Sequence, residues 1–318
     1  MTLDSEDFQE IFSLIGEAKE GSKFSIARLI SILERKDSFE YRKYIFSKLS
    51  LVGLNDKNSI TIGFTGTPGA GKSSLIGALC EEFLKNLPNK KVAIVAIDPS
   101  SHISGGSILG DRIRVAIPAR ENRIFFRSQP SELDMGGINP YTYHVVRLLK
   151  FFYDYVIIET VGIGQNEIEV SNISDFSFLI LQPLGGDQIQ FMKSGIMEVP
   201  DAFIINKCDE DELAKSSLYT LEHSLDFLKD IYGEKKIPKI FLTSATKKAG
   251  IENLLNFIKE IRPRKSHEKE TISQIKKWLK NEFGQFGLKK LDLYLQDKKQ
   301  DTDYETLEEG LLKILPKD

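Results

Sequence analysis

The chain has 318 residues, 41% of them hydrophobic, enough for one substantial core with additions. Its net charge of −3 leaves no electrostatic footprint for nucleic acid, and no apolar run approaches the length of a membrane span, so neither is expected as a partner. Asp4, Glu6 and Asp7 stand where a signal peptide would carry positive charge, and Cys80 and Cys208 lie far apart with no CxxC partner; the expectation is a soluble, cytoplasmic protein with two small buried thiols.

From Ser5 to about Leu54 apolar residues recur at helical spacing (Phe8, Ile11, Phe12 and Ile15, then Ile26, Leu29, Ile30 and Leu33), which predicts an N-terminal helical extension over 1–57. After the polar turn Asn55-Asp56-Lys57-Asn58, strands and helices alternate as in an α/β, doubly wound, mostly parallel sheet. Strands are predicted from Ile60 to Phe64, Val92 to Ile97, Ile124 to Arg127, Tyr155 to Ile158, Phe176 to Leu181, Ala202 to Ile205, and Ile240 to Leu242. The unbroken apolar run from Val92 to Ile97 suits a strand covered on both faces. Past Pro263 the composition turns Lys-rich, with Ile272, Ile275, Trp278, Leu279 and Phe283 on one side of a helix. This divides the chain into a core over 58–263 and a C-terminal helical extension over 264–318, which either docks on the core or serves as an oligomerisation arm.

Residues Gly66-Thr67-Pro68-Gly69-Ala70-Gly71-Lys72-Ser73 form a complete GxxxxGK[ST] phosphate loop between a strand pattern and a helical one. Its glycines let backbone N–H groups turn around a β-phosphate, Lys72 reaches the β/γ oxygens, and the Ser73 hydroxyl suits Mg²⁺. A phosphate loop does not choose the base. Asn206-Lys207-Cys208-Asp209 follows the strand ending at Ile205 and matches NKxD, in which the carboxylate accepts guanine's ring N–H and exocyclic amine; adenine offers neither there. Ser244-Ala245-Thr246 follows a later strand, where such proteins close over the base.

The strand Tyr155-Val156-Ile157-Ile158 leads into Glu159-Thr160-Val161-Gly162, a Walker B pattern with Glu for Asp, and the Gly162 N–H could meet a γ-phosphate. The next residue is Ile163, which cannot orient a water, so intrinsic hydrolysis is expected to be slow; Gln165 is a substitute two residues late. Asp98 and Asp111, in the loop after the second strand, suit direct or water-mediated Mg²⁺ contacts, with turn or helix-cap roles as the alternative. In the loop beginning Gly185-Gly186-Asp187, Lys193 could swing toward the phosphates or lie on the surface.

Taken in order, GTPGAGKSS, AIDPSS, GGSILGDRIR, IETVGIGQNE, GGDQIQFMKSGIMEVPD and NKCD resemble the methylmalonyl-CoA mutase-associated GTPases, the MeaB/ArgK/MMAA family, over roughly residues 58 to 262. The resemblance implies a SIMIBI-class GTPase, a homodimer with helical extensions at both ends. It would act as a chaperone that gates adenosylcobalamin loading and protection of a cobalamin-dependent acyl-CoA mutase. By motif position it implies phosphate and Mg²⁺ binding at Lys72 and Ser73 with Ser74 beside them, a metal-linked switch at Asp98 and Asp111, a Walker B role for Glu159, and a third switch at Lys193. Two segments depart from the family. Residues Gln129 to Gly137 are acidic where relatives usually carry a basic residue and glycine before Leu-Gly-Gly, and the part after Pro263 matches poorly. A metallochaperone GTPase would bring His-rich tracts or paired cysteines, whereas His102, His144, His223 and His267 are scattered. A small-molecule kinase or transport ATPase would need adenine selectivity, which Asp209 opposes.

Overall fold

The computed structural model describes residues 5–35, 38–56, 58–98, 121–131, 138–160, 165–183, 200–232, 238–264, 268–296 and 304–315. By its contacts the chain divides into two units: Met1–Asp56, Pro140–Phe152 and Arg264–Asp318 form one, and the remainder forms the other.

The larger unit is an α/β sheet of seven strands, all parallel in their pairings, in the order β3-β2-β4-β1-β5-β6-β7. The strands are β1 (Ile60–Gly66), β2 (Val92–Asp98), β3 (Ile124–Pro130), β4 (Tyr155–Thr160), β5 (Phe176–Leu181), β6 (Ala202–Ile205) and β7 (Lys239–Leu242). Alternate strand residues feed opposite faces. Ile62, Phe64, Ile157, Phe178 and Ile204 join one core with Leu75, Ile76, Leu79 and Phe83 of α4 (Lys72–Asn86), and with Leu254, Leu255 and Ile258 of α8 (Ile251–Glu260). Their neighbours Leu179, Phe203 and Ile205 face Leu221 and Leu225 of α7 (Asp211–Tyr232). On that same face β1 meets α6 (Gln165–Ser171) so closely that a Cβ on Gly63 would lie 2.4 Å from Val170 Cγ1.

Register at the amino ends is fixed by a repeated device. Asp175 Oδ2 accepts from both the N–H and the hydroxyl of Thr61 (2.7 Å each), and Asp201 Oδ2 accepts from the N–H and hydroxyl of Ser177 (2.7 and 2.9 Å). Each carboxylate therefore satisfies the first donor of a neighbouring strand that no ladder partner reaches.

Several strands run past the limits that hydropathy predicts. β2 reaches Asp98, β3 reaches Pro130 and β4 reaches Thr160, because Asp98 pairs with Pro130 and Glu159 pairs with both Phe64 and Ala96 in the ladder. Polar side chains at these ends hide strands from a hydropathy reading while their backbones remain paired. Glu159 thus belongs to the ladder and not to a loop.

The smaller unit is helical: α1 (Ser5–Lys19), α2 (Lys23–Leu33), α3 (Phe39–Leu51), α5 (Thr142–Lys150), α9 (Glu268–Gln296) and α10 (Tyr304–Leu312). Ser22 caps α2 by accepting from Ser25 N at 3.2 Å. Ile11, Ile15, Leu29 and Ile30 are buried as their spacing predicts, but Phe12 is half exposed, one residue off the buried stripe. Ile275, Trp278 and Leu279 of α9 are fully buried beside Leu307 and Leu311 of α10, and α9 is interrupted at Gly284. The segment around α5, which sequence assigns to the 58–263 core, groups by contact with the terminal helices. No helix among the described residues is long and apolar enough to cross a membrane. Cys80 is buried as expected, whereas Cys208 is only half buried.

Candidate nucleotide site

β1 stands at the centre of the sheet, and its carboxyl end opens directly into the phosphate loop. Gly71 ends that loop in a left-handed conformation (φ 82°) as the N-cap of α4, and no side chain caps the helix. The N–H groups of its first turn are therefore left for an anion, with the positive end of the helix dipole behind them. A Cβ on Gly71 would come within 2.7 Å of Asn206 Nδ2, so this position needs glycine for both backbone angle and space. Pro68, Gly69 and Ser74 are exposed around the loop, Thr67 is buried, and Ala70 packs into the core.

Lys72 and Ser73 are buried. The Lys72 ammonium donates to the carbonyls of Gly66 (2.8 Å) and Thr67 (3.0 Å), which folds it back into the loop it serves. Ser73 Oγ donates to Glu159 Oε1 at 2.7 Å, and Glu159 is 1% exposed. A hydroxyl and a carboxylate meeting in a buried pocket beside a phosphate loop are hard oxygen donors, and this set fits Mg²⁺.

The loop after β6 is tied to the phosphate loop through Asn206. Its Nδ2 donates to Ala70 O (2.9 Å) and Gly71 O (3.3 Å), while its Oδ1 accepts from Thr243 Oγ1 at 3.1 Å. The side chain is buried, so these bonds are shielded from competing water. Lys207 adopts φ 63° and reaches out to Gln182 Oε1 at 3.4 Å. Asp209 Oδ1 accepts from Ser244 Oγ (2.6 Å) and Thr246 Oγ1 (2.9 Å), and the Lys247 ammonium grips the Asp209 carbonyl at 2.7 Å. Bonds from Ser244 and then Thr246, with Lys247 nearby, hold the Asp209 carboxyl below its ordinary pKa, so it stays an ionised acceptor at neutral pH. Ala245 packs against the α4 side of the sheet. Lys248 pairs with Glu81 of α4, a further tie between the last loop and the phosphate-loop helix.

The structure therefore gathers Lys72, Ser73 and Glu159 at the phosphate loop, and Asp209, Ser244 and Thr246 at the loops after β6 and β7, with Asn206 bonded both to the phosphate loop and to Thr243. Thr243, Lys247 and Gln182 are additions that sequence reading missed. Thr243 stands directly before the Ser244-Ala245-Thr246 motif, and that adjacency was the available signal. Gly162, Asp111 and Lys193 lie outside the described residues, as do the side chains of Asp98 and Gln165. Among the described residues no cluster of three or more His, Cys, Asp or Glu side chains gathers to hold a metal.

A wholly parallel sheet with a phosphate loop after its central strand defines a P-loop nucleoside triphosphatase. Residues 26–285 match the family model described as methylmalonyl Co-A mutase-associated GTPase MeaB, and the chain belongs to that family. GTPase ArgK of Escherichia coli is 35% identical over 248 residues, covering 77% of this chain and 73% of that protein. A Caenorhabditis briggsae protein named methylmalonic aciduria type A homolog, mitochondrial, is 32% identical over 296 residues, covering 88% of this chain and 71% of its own. Among solved structures, a LAO/AO transport system kinase aligns with a TM-score of 0.62 over 99% of both chains at 21% identity, a likeness of fold. The protein is a GTPase.

Proposed function

We propose that this GTPase is a chaperone for an adenosylcobalamin-dependent acyl-CoA mutase of the methylmalonyl-CoA mutase type, and that its nucleotide state gates cofactor loading and protection of that enzyme. The observation that carries the reading is the match of residues 26–285 to the methylmalonyl Co-A mutase-associated GTPase family, and the buried Asn206 tie supports its nucleotide-driven part. In a chain of this family, that tie couples the loop that reads the base to the loop that holds the phosphates.

In this reading, Asp209 accepts the guanine edge while Ser244, Ala245 and Thr246 close over the base, and Asn206 and Lys207 brace the loops. The backbone from Gly66 to Ser74, including Thr67, Pro68, Gly69, Ala70 and Gly71, wraps the phosphates, and the Gly162 N–H meets the γ-phosphate. Lys72 leaves the Gly66 and Thr67 carbonyls to neutralise the β/γ oxygens. Ser73 and Glu159, with Asp98 and Asp111, hold Mg²⁺, which when bound offsets charge on the transferring phosphoryl group. Catalysis is assigned to Lys72, Asp98, Glu159 and Lys193, the last moving when the partner docks. The chain works in the cytoplasm as a homodimer, with extensions at 1–57 and 264–318 flanking the 58–263 GTPase core.

Single-turnover GTP hydrolysis with and without a cobalamin-dependent acyl-CoA mutase tests this. Slow hydrolysis alone and marked acceleration by the mutase are expected, with most of that acceleration lost in Lys193→Ala while GDP affinity barely changes. Acceleration that survives in Lys193→Ala removes the assigned role of that lysine. Absence of acceleration by any such mutase removes the chaperone reading.

A further inference from the structure

Asp209 and the two hydroxyls that bind it form a closed triangle. Ser244 Oγ lies 2.6 Å and Thr246 Oγ1 2.9 Å from the same oxygen, Oδ1, and the hydroxyls are 3.1 Å from each other. Each hydroxyl carries one proton, so only two of these three contacts can be hydrogen bonds at any moment. With both protons directed at Asp209, both acceptor positions of Oδ1 are filled. A carboxylate that takes a ring N–H and a neighbouring amine together uses one oxygen for each. Guanine can therefore be read only after one hydroxyl leaves Oδ1.

The surroundings decide which one leaves. Ser244 is fully buried and exchanges both backbone bonds with Ala249 (3.0 and 3.1 Å), and its Oγ also accepts from Lys247 N at 3.0 Å. Thr246 is exposed. Ser244 Oγ can accept two bonds and Lys247 N occupies one of them, so the second is open to the Thr246 proton. Turning that proton from Asp209 to Ser244 frees Oδ1 and leaves every donor in the triangle satisfied.

We propose that Thr246 is a specificity-positioning residue: its hydroxyl occupies Asp209 Oδ1 in the empty site, then yields that oxygen to incoming guanine by turning its proton to Ser244 Oγ. The proposal rests on Asp209 being the base reader. It involves rotation about one C–O bond and no covalent change. Trading a bond to a carboxylate for a bond to a hydroxyl weakens guanine binding by about two- to tenfold, since charge-assisted bonds are the stronger kind. Hypoxanthine has the ring N–H but no amine, so Oδ2 alone can receive it and the displacement is not required.

The test compares GDP with inosine diphosphate by calorimetry on the full chain and on Thr246→Ala, Thr246→Ser and Asp209→Asn. Thr246→Ala should tighten GDP by about two- to tenfold, move inosine diphosphate by less than about twofold, and so raise the ratio between them; Thr246→Ser should restore the original ratio. Weaker GDP binding in Thr246→Ala, or equal shifts for both nucleotides, overturns the proposal while leaving the base reader in place. Full GDP affinity in Asp209→Asn overturns the base-reading assignment, and the proposal with it.

Discussion

Glu159 combines a buried carboxylate, a ladder position and a short bond to Ser73 in one side chain. If it holds the metal-binding oxygen set together, Glu159→Gln keeps shape and packing but removes the charge. Mg²⁺-dependent GTP turnover should then fall by about 100-fold, the scale seen when one electrostatic stabiliser is removed, while GDP binding measured in a chelator stays within about threefold. Phosphate-release kinetics would decide it, and turnover within threefold of the original would reassign the carboxylate to packing. Glu159, like Lys72, Ser73 and Asp209, is legible from sequence because its spacing from a strand end is local. That Asn206 braces the loops is legible too, from NKxD, but its partners Ala70 and Thr243 are not, since they lie 136 and 37 positions away and bond through a backbone carbonyl and a hydroxyl that no short pattern marks.

Among the elements, the strands were legible in number and order along the chain, and β5, β6 and β7 end where hydropathy places them, but the carboxyl ends of β1 to β4 were not legible. Hydropathy fades at Ser128, Gln129 and Thr160, whereas the ladder continues because Ala96 and Ile97 of β2 pair with all of them or their neighbours. The contact of β1 with α6 is an equally unmarked constraint, because a lone glycine in a strand does not say what lies above it. Gly63→Ala would place a methyl 2.4 Å from Val170 Cγ1 and 2.8 Å from Ser174 Oγ. Overpacking of this kind costs about 1–3 kcal/mol, so the urea midpoint should drop with little change in slope. A midpoint shift equivalent to less than about 0.5 kcal/mol would show that α6 yields to the methyl. Because α6 follows the Glu159 strand, a loss of GTP turnover in the same variant larger than its loss of stability would tie the helix position to the chemistry.

For the molecule as a whole, the helical unit is organised around buried charge that sequence patterning could not reveal. Arg42 pairs with Glu282 (3.0 Å) and Glu308 (3.5 Å) and lies over the Trp278 ring at 5.3 Å. His144 Nε2 lies 3.3 Å from the Tyr304 hydroxyl in the same region. Burial pushes the His144 pKa well below its usual value, and Arg42 and Arg147 push it further, so the folded chain holds it neutral. An unfolded chain takes up a proton there below about pH 6.5 and the folded one does not. Stability from this group is thus complete above about pH 6.5 and is lost as pH falls below it. Glu308, whose carboxyl burial raises, works in the opposite sense by taking up its proton earlier when folded. Thermal melting between pH 7.5 and 5.5 should show a midpoint that declines on acidification, with a slope of up to about 1.4 kcal/mol per pH unit, and His144→Gln should flatten it even if its absolute stability is lower. An unchanged slope in that variant would move the pH dependence to other groups.

The helical unit is gathered from three separated stretches of chain, and this sets an order for synthesis. Arg42 leaves the ribosome 240 residues ahead of Glu282, and Glu308 follows later still. For most of translation the first helices must wait with an unmatched guanidinium, while every strand of the nucleotide-binding sheet has already emerged by Leu242. A nascent chain can therefore complete its sheet, and with it the frame for GTP, before it can complete the helical bundle. A nucleotide taken up at that stage would stabilise the half-made protein by mass action, so the substrate of the finished GTPase could first serve as a folding aid.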